Sequence, residues 1–161
     1  MLQDFFLDQD LFVKNLSENI ENQNSLFETF GKILINKNYV DSNYIEAIKE
    51  REKSYPTGIS TSNYAVAIPH VDAKYAKVNT MFVATSENGI EFEDAEEDRN
   101  LKVKIVFGII IKDHDSHIDF LVQISNLIQN ESLLDGIYNA KDSKSMKEII
   151  ENYLWIKYIN I

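Results

Sequence analysis

The stretch that decides the fold is "NYAVAIPHVDAKY", Asn63–Tyr75. Ala65–Ile68 is a short apolar run, and Tyr64–Ile68 reads as a strand. Pro69 ends it, because proline has no backbone donor and a fixed φ. The same proline holds Ile68 extended. His70 is therefore displayed from a restrained backbone at a strand's end, where α/β proteins commonly bind ligands. The plainer alternative, a loop that merely terminates a strand, stands level with it on spacing alone.

Upstream, Leu11–Val13 reads as a short edge strand. Leu26, Phe27, Phe30, Ile33 and Leu34 recur with helical spacing between Asn24 and Asn36. "VDSNYIEAIKEREKSY" (40–55) predicts a second helix, with Asp41 or Ser42 as its N-cap and Pro56 beyond its end. "PTGISTSN" (56–63) reads as a loop rich in turn formers. Downstream, Thr80–Ser86 and Lys104–Ile111 are strand candidates, joined by an acidic, turn-rich connection, "ENGIEFEDAEEDRN" (87–100). Helical patterns follow at Ser116–Asn130, Glu131–Tyr138 and Ser143–Tyr153. Helices, strands and helices around one short β-core predict a single α/β domain over residues 1–161. Its architecture is a short mixed sheet with helices on both faces, three layers in all.

The 161 residues suit one domain able to bury roughly 70% of its unfolded surface. A composition of 44% hydrophobic and 26% charged residues argues against disorder. Without cysteine, disulfides, thiol catalysis and thiolate metal sites are excluded, and a reducing, cytoplasmic setting fits. A net charge of −10 repels phosphate backbones and argues against nucleic-acid binding. "MLQDFFLDQD" does not have the form of a secretory signal. The longest apolar run, Ile105–Ile111, is far short of the ~20 residues of a membrane helix, so no membrane insertion is expected. "YLWIKYINI" (153–161) is apolar and is expected to pack against its own chain.

His70, His114 and His117 are the three histidines. "SHID" offers Ser116 as a helix cap with Asp119 three residues on, which puts His117 in a first turn whose free N–H groups favour an anion. His117, Leu121, Ile124 and Ile128 form one helical stripe, so the imidazole faces inward. It is either a buried structural histidine or a second imidazole beside a phosphoryl group. His114, among acids, reads as solvated; pairing it with His117 and a carboxylate gives only a weak zinc pattern. Arg51, one of two arginines, lies near the end of the second helix and has the planar fork that suits phosphate. A surface position favoured by the helix C-terminus is its alternative. Neither a Gly-rich phosphate loop nor a nucleophile elbow is present.

Taken together, "REKSYPTGI", "VAIPHVDAKY" and "HIDFLVQISNLIQNESLLDGI" resemble the enzyme IIA domains of the fructose/mannitol type. These belong to the bacterial phosphoenolpyruvate-dependent sugar phosphotransferase system, and the resemblance runs from about Tyr44 to Ile150. It implies a phosphotransferase component in which His70 takes a phosphoryl group from phospho-HPr, through Nε2, and passes it to a sugar-specific enzyme IIB. The resemblance also implies that His117 is the second active-site histidine and Arg51 the family's arginine. Thr57 and Thr61 fall in the matching phosphoryl-binding loop. No cofactor and no metal are implied. Commoner fructose-type members follow Ile-Pro-His with glycine, whereas this chain has Val71-Asp72 and a longer preceding loop. Both features resemble the galactitol-type branch and point to a polyol or related sugar. A regulatory module that binds partner proteins according to its phosphorylation is the competing reading.

Overall fold

The computed structural model describes residues 4–154. The C-terminal stretch expected to pack at home lies largely outside the described residues. The elements run β1 (Phe12–Val13), α1 (Gln23–Asn36), α2 (Tyr44–Ser54), β2 (Gly58–Ser60), β3 (Ala65–Ala67), β4 (Thr80–Glu93), β5 (Asn100–Ile110), α3 (His114–Ile128), α4 (Glu131–Tyr138) and α5 (Ser143–Leu154). The strands form one mixed sheet in the order β1-β4-β5-β3-β2. β1–β4 and β3–β5 are parallel pairs, while β4–β5 and β2–β3 are antiparallel. This is the expected single-domain α/β architecture.

Residues 80–86 of β4 and 105–110 of β5 are buried without alternation, so helices cover both faces of the central sheet. On one face, Phe30 of α1 stacks on Phe82 with centroids 4.3 Å apart, and Phe27 meets Phe92 edge-on at 6.1 Å. α2 packs on α1. The buried sides of α3, α4 and α5, including Ile124, Ile137 and Ile150, join the same core.

Several boundaries differ from those read in the sequence. β4 does not stop at Ser86 but continues to Glu93, past an irregularity between Thr85 and Ile90. There Gly89 adopts φ +78° and its N–H donates to Ser86 Oγ, so a local kink has the composition of a turn. The expected connection over 87–100 shrinks accordingly to residues 94–99. Within 56–63, which read as a loop, Gly58–Ser60 forms β2 against β3. At α2 the cap is Asn43, not Asp41 or Ser42. Asp41 instead accepts the Asn43 N–H in a turn ahead of the helix. At α3 the cap is Asp113, whose carbonyl accepts the His117 N–H. The helix thus starts at His114, and Ser116 lies inside it rather than capping it.

Candidate phosphoryl-transfer site

Topology brings His70, His117, Arg51 and Thr57 to one end of the sheet. β3 and β5 are parallel neighbours, so their C-terminal ends point the same way. His70 extends the β3 line and bridges Ile109 of β5, with the Ile109 N–H donating to the Pro69 carbonyl. α3 begins four residues after β5 ends and sets its first turns beside that same end. β2 runs antiparallel to β3, with Gly58 opposite Ala67. The C-terminal turn of α2, which carries Arg51, and the Pro56-Thr57 segment therefore arrive there too.

The His70 and His117 rings lie with centroids 5.5 Å apart, tilted by 55°. His70 is partly buried, and its Nδ1 sits 2.8 Å from the Ile68 carbonyl oxygen. A carbonyl can only accept, so Nδ1 carries the proton and Nε2 keeps its lone pair. Burial lowers the His70 pKa below the ordinary histidine value, against the Ile68 hydrogen bond, which raises it. His117 and Arg51 lower it further, and Asp72 opposes them. His117 is also depressed, first by burial and then by Arg51, with Asp72 and the Val71 backbone acting in the opposite sense. Both imidazoles are thereby held toward the neutral form, and both feel the Arg51 guanidinium.

Arg51 faces Asp72, Nη1 to Oδ1 at 3.5 Å, and lies over the Tyr55 ring at 4.9 Å. Among the described residues its Nε is buried without a hydrogen-bond partner, as is Nε2 of His117. Two unpaired buried nitrogens beside a free imidazole lone pair make a place for an anionic, oxygen-rich group. Among the described residues no cluster of three His, Cys, Asp or Glu side chains is disposed to hold a metal.

The two threonines part company. Thr57 is buried at the His70 end, its hydroxyl engaged with Glu52 and the Ile68 N–H. Thr61 uses its hydroxyl to close the 61–64 turn at the tip of the β2–β3 hairpin. The register puts that tip at the opposite end of β3 from His70, so the structure does not bring Thr61 to the histidines. His114 is exposed, as its acidic surroundings suggested.

Sequence reasoning missed Glu52. It is only 3% exposed, and it accepts the Thr57 N–H at 2.6 Å and the Thr57 hydroxyl at 2.7 Å. Burial pushes its pKa up to about 7 despite those hydrogen bonds. A pair of hydrogen-bonding residues five apart across Pro56 was the available signal.

The sequence model of the phosphoenolpyruvate-dependent sugar phosphotransferase system EIIA 2 family matches residues 6–153. This chain belongs to that family. It is thus a phosphotransferase component acting through a phosphohistidine. A mannitol-specific phosphotransferase enzyme IIA component of Staphylococcus aureus (strain Mu50 / ATCC 700699) is 31% identical over 150 residues, 93% of this chain and 97% of that protein. A galactitol-specific EIIA component of Escherichia coli (strain K12) is 24% identical over 124 residues, 77% of this chain and 82% of its own length. In fold, the chain is similar to enzyme IIA in the Escherichia coli mannitol IIA complex with phosphorylated enzyme IIB. That match has a TM-score of 0.71 at 20% identity and covers 92% of this chain and 99% of that one. Among the described residues, no helix is long and apolar enough to cross a membrane.

Proposed function

We infer that this EIIA component carries its phosphoryl group on Nε2 of His70, takes it from phospho-HPr, and hands it to an enzyme IIB of a polyol permease. The observation that carries the assignment is the hydrogen bond from His70 Nδ1 to the Ile68 carbonyl, which leaves Nε2 as the nucleophile. In the transfer, the Nε2 lone pair forms the new N–P bond. The donor's bond to phosphorus breaks, and its electron pair stays with the donor. Nδ1 keeps its proton, so the phosphorylated ring bears positive charge and can leave again in the onward step.

Phosphoryl transfer depends on positioning and on charge stabilisation at the equatorial oxygens. Arg51 and His117 fit that role, since each has an unpaired nitrogen at the site. Thr57 acts through the backbone in this reading rather than as a direct phosphoryl ligand. Mannitol- and galactitol-specific relatives support the polyol class. The fold similarity to a mannitol IIA bound to phosphorylated IIB supports an enzyme IIB as acceptor. Similarity to the nitrogen regulatory protein IIA-Ntr of Neisseria meningitidis, at TM-score 0.73 and 20% identity, concerns the fold alone and does not favour a regulatory role.

The test is incubation with phosphoenolpyruvate, enzyme I and HPr, followed by intact mass. One acid-labile phosphate, absent from His70→Ala, is the expected result. A folded wild-type protein that takes up no phosphate would overturn the reading.

A further inference from the structure

Glu52 is a buried carboxylate that the phosphoryl-transfer chemistry does not itself require, and it stands at the start of a continuous hydrogen-bonded path to the nucleophile. The Thr57 hydroxyl donates to Glu52 Oε1 at 2.7 Å, while the Thr57 N–H donates to Oε2 at 2.6 Å. A hydroxyl has one proton. With that proton committed to Glu52, Thr57 Oγ1 is left to accept, and it accepts the Ile68 N–H at 3.2 Å. Ile68 then presents its carbonyl to His70 Nδ1 at 2.8 Å. Pro69 confines Ile68 to extended backbone. The Pro69 carbonyl is itself held by the Ile109 N–H at 3.0 Å. Residue 68 is therefore fixed on both sides, and its N–H is fixed by a side chain.

We propose that Glu52 is a positioning residue: through Thr57 and the Ile68 backbone it sets the tautomer of His70 and so presents Nε2 to the incoming phosphoryl group. This rests on His70 being the phosphorylated residue. The polarity of the path runs one way. An ionised Glu52 can only accept, so Thr57 must turn its proton away from Ile68, and the Ile68 N–H finds a lone pair. Remove the carboxylate and the hydroxyl proton can rotate toward Ile68, where donor meets donor. The backbone at 68 then loses its anchor, and the Nδ1 hydrogen bond loosens. The position of the ring proton is set by the hydrogen bond made by the other nitrogen, so loosening it lets both tautomers form. Only the one protonated at Nδ1 is a nucleophile at Nε2.

The test pairs a spectroscopic readout with a rate. Imidazole ¹⁵N chemical shifts report the His70 tautomer in the unphosphorylated protein at pH 8, and quench-flow with phospho-HPr reports phosphoryl uptake. Wild type and Thr57→Ser, which keeps the hydroxyl, are expected to show the Nδ1–H tautomer and similar uptake rates. Glu52→Ala and Thr57→Val are expected to show a mixture of tautomers and uptake slowed about tenfold, the scale of one lost hydrogen bond. If Glu52→Ala does not fold, Thr57→Val decides, since it removes the link with little change of volume. Folded variants that retain both the wild-type tautomer and the wild-type rate would overturn the proposal, leaving Glu52 a purely structural carboxylate. Failure of wild type to accept phosphate would strike the carrier reading instead, and the tautomer measurement would still stand.

Discussion

Glu52 also makes a prediction about stability. Its side chain is almost wholly buried, and desolvation is the largest influence on its pKa. The Thr57 hydrogen bonds pull the other way, Glu93 adds to the rise, and Arg51 opposes it. The folded value is pushed up to about 7 from a reference of 4.5. The folded protein thus holds this proton more tightly than the unfolded chain. The resulting stabilisation is complete below pH 4.5 and is lost as pH rises through 7. At about 1.4 kcal/mol per pH unit, the span amounts to about 3 kcal/mol. Urea unfolding of wild type and Glu52→Gln at intervals from pH 4.5 to 8 measures it. His70 and His117, whose depressed values favour stability at higher pH, contribute to both proteins and cancel in the difference. Relative to the glutamine variant, wild type should lose about 3 kcal/mol of stability across that range, on top of a constant offset for the altered hydrogen bond to Thr57. Parallel stability curves would refute the reasoning, because a carboxylate that titrates normally gives no such slope in this window.

Other consequences can be checked singly. His117 should titrate below the ordinary histidine value in the free protein and above it once His70 is phosphorylated, as followed by NMR. Arg51→Lys keeps the charge but not the fork, and phosphoryl uptake measured with phospho-HPr should slow about tenfold. Asp72→Asn removes an exposed partner that raises the pKa of both histidines. Both should titrate lower by NMR, while thermal stability changes by less than about 1 kcal/mol. A β-carbon at Gly108 would run into the Phe82 ring opposite it, so Gly108→Ala should cost about 1–3 kcal/mol in urea unfolding.

The histidine pair was legible because each member is marked by its near neighbours. Pro69 stops the strand at His70, and the apolar periodicity after His117 gives it a helix and an inward face. Their meeting was legible only as far as the family resemblance implied it. It is decided by β3 and β5 lying parallel and adjacent, a long-range pairing that no local pattern encodes. The start of α3 was misread because Ser116 has the chemistry of a cap, yet Asp113 is the residue held extended ahead of the helix. β2 was hidden by its composition: Gly58-Ile59-Ser60 is too short and polar to read as a strand. Glycine is needed at 58 because the Glu93 carbonyl passes where a β-carbon would lie. Glu52 was hidden within "KEREK", a run with the appearance of a solvated helix end. Its burial comes from the Pro56-Thr57 segment folding back over it, which local periodicity does not register.

Charge balance at the site explains why the free and loaded states can interconvert. In the free protein, both imidazoles are biased toward neutrality, and the fixed positive charge of Arg51 faces Asp72 across 3.5 Å. That pair is weak, since Asp72 is 66% exposed at its side chain and solvent competes for it. On the proposed assignment, a phosphoryl group on His70 would bring negative charge and several acceptor oxygens to two nitrogens that have no partner among the described residues. Arg51 can therefore exchange a loose contact for a charge-assisted hydrogen bond, and His117 gains a reason to take up a proton. Asp72 works against that gain, because its carboxylate stands beside the same guanidinium. A carrier must accept phosphate without trapping it. A carboxylate that competes for the arginine limits how tightly the loaded state is held and leaves the phosphoryl group transferable.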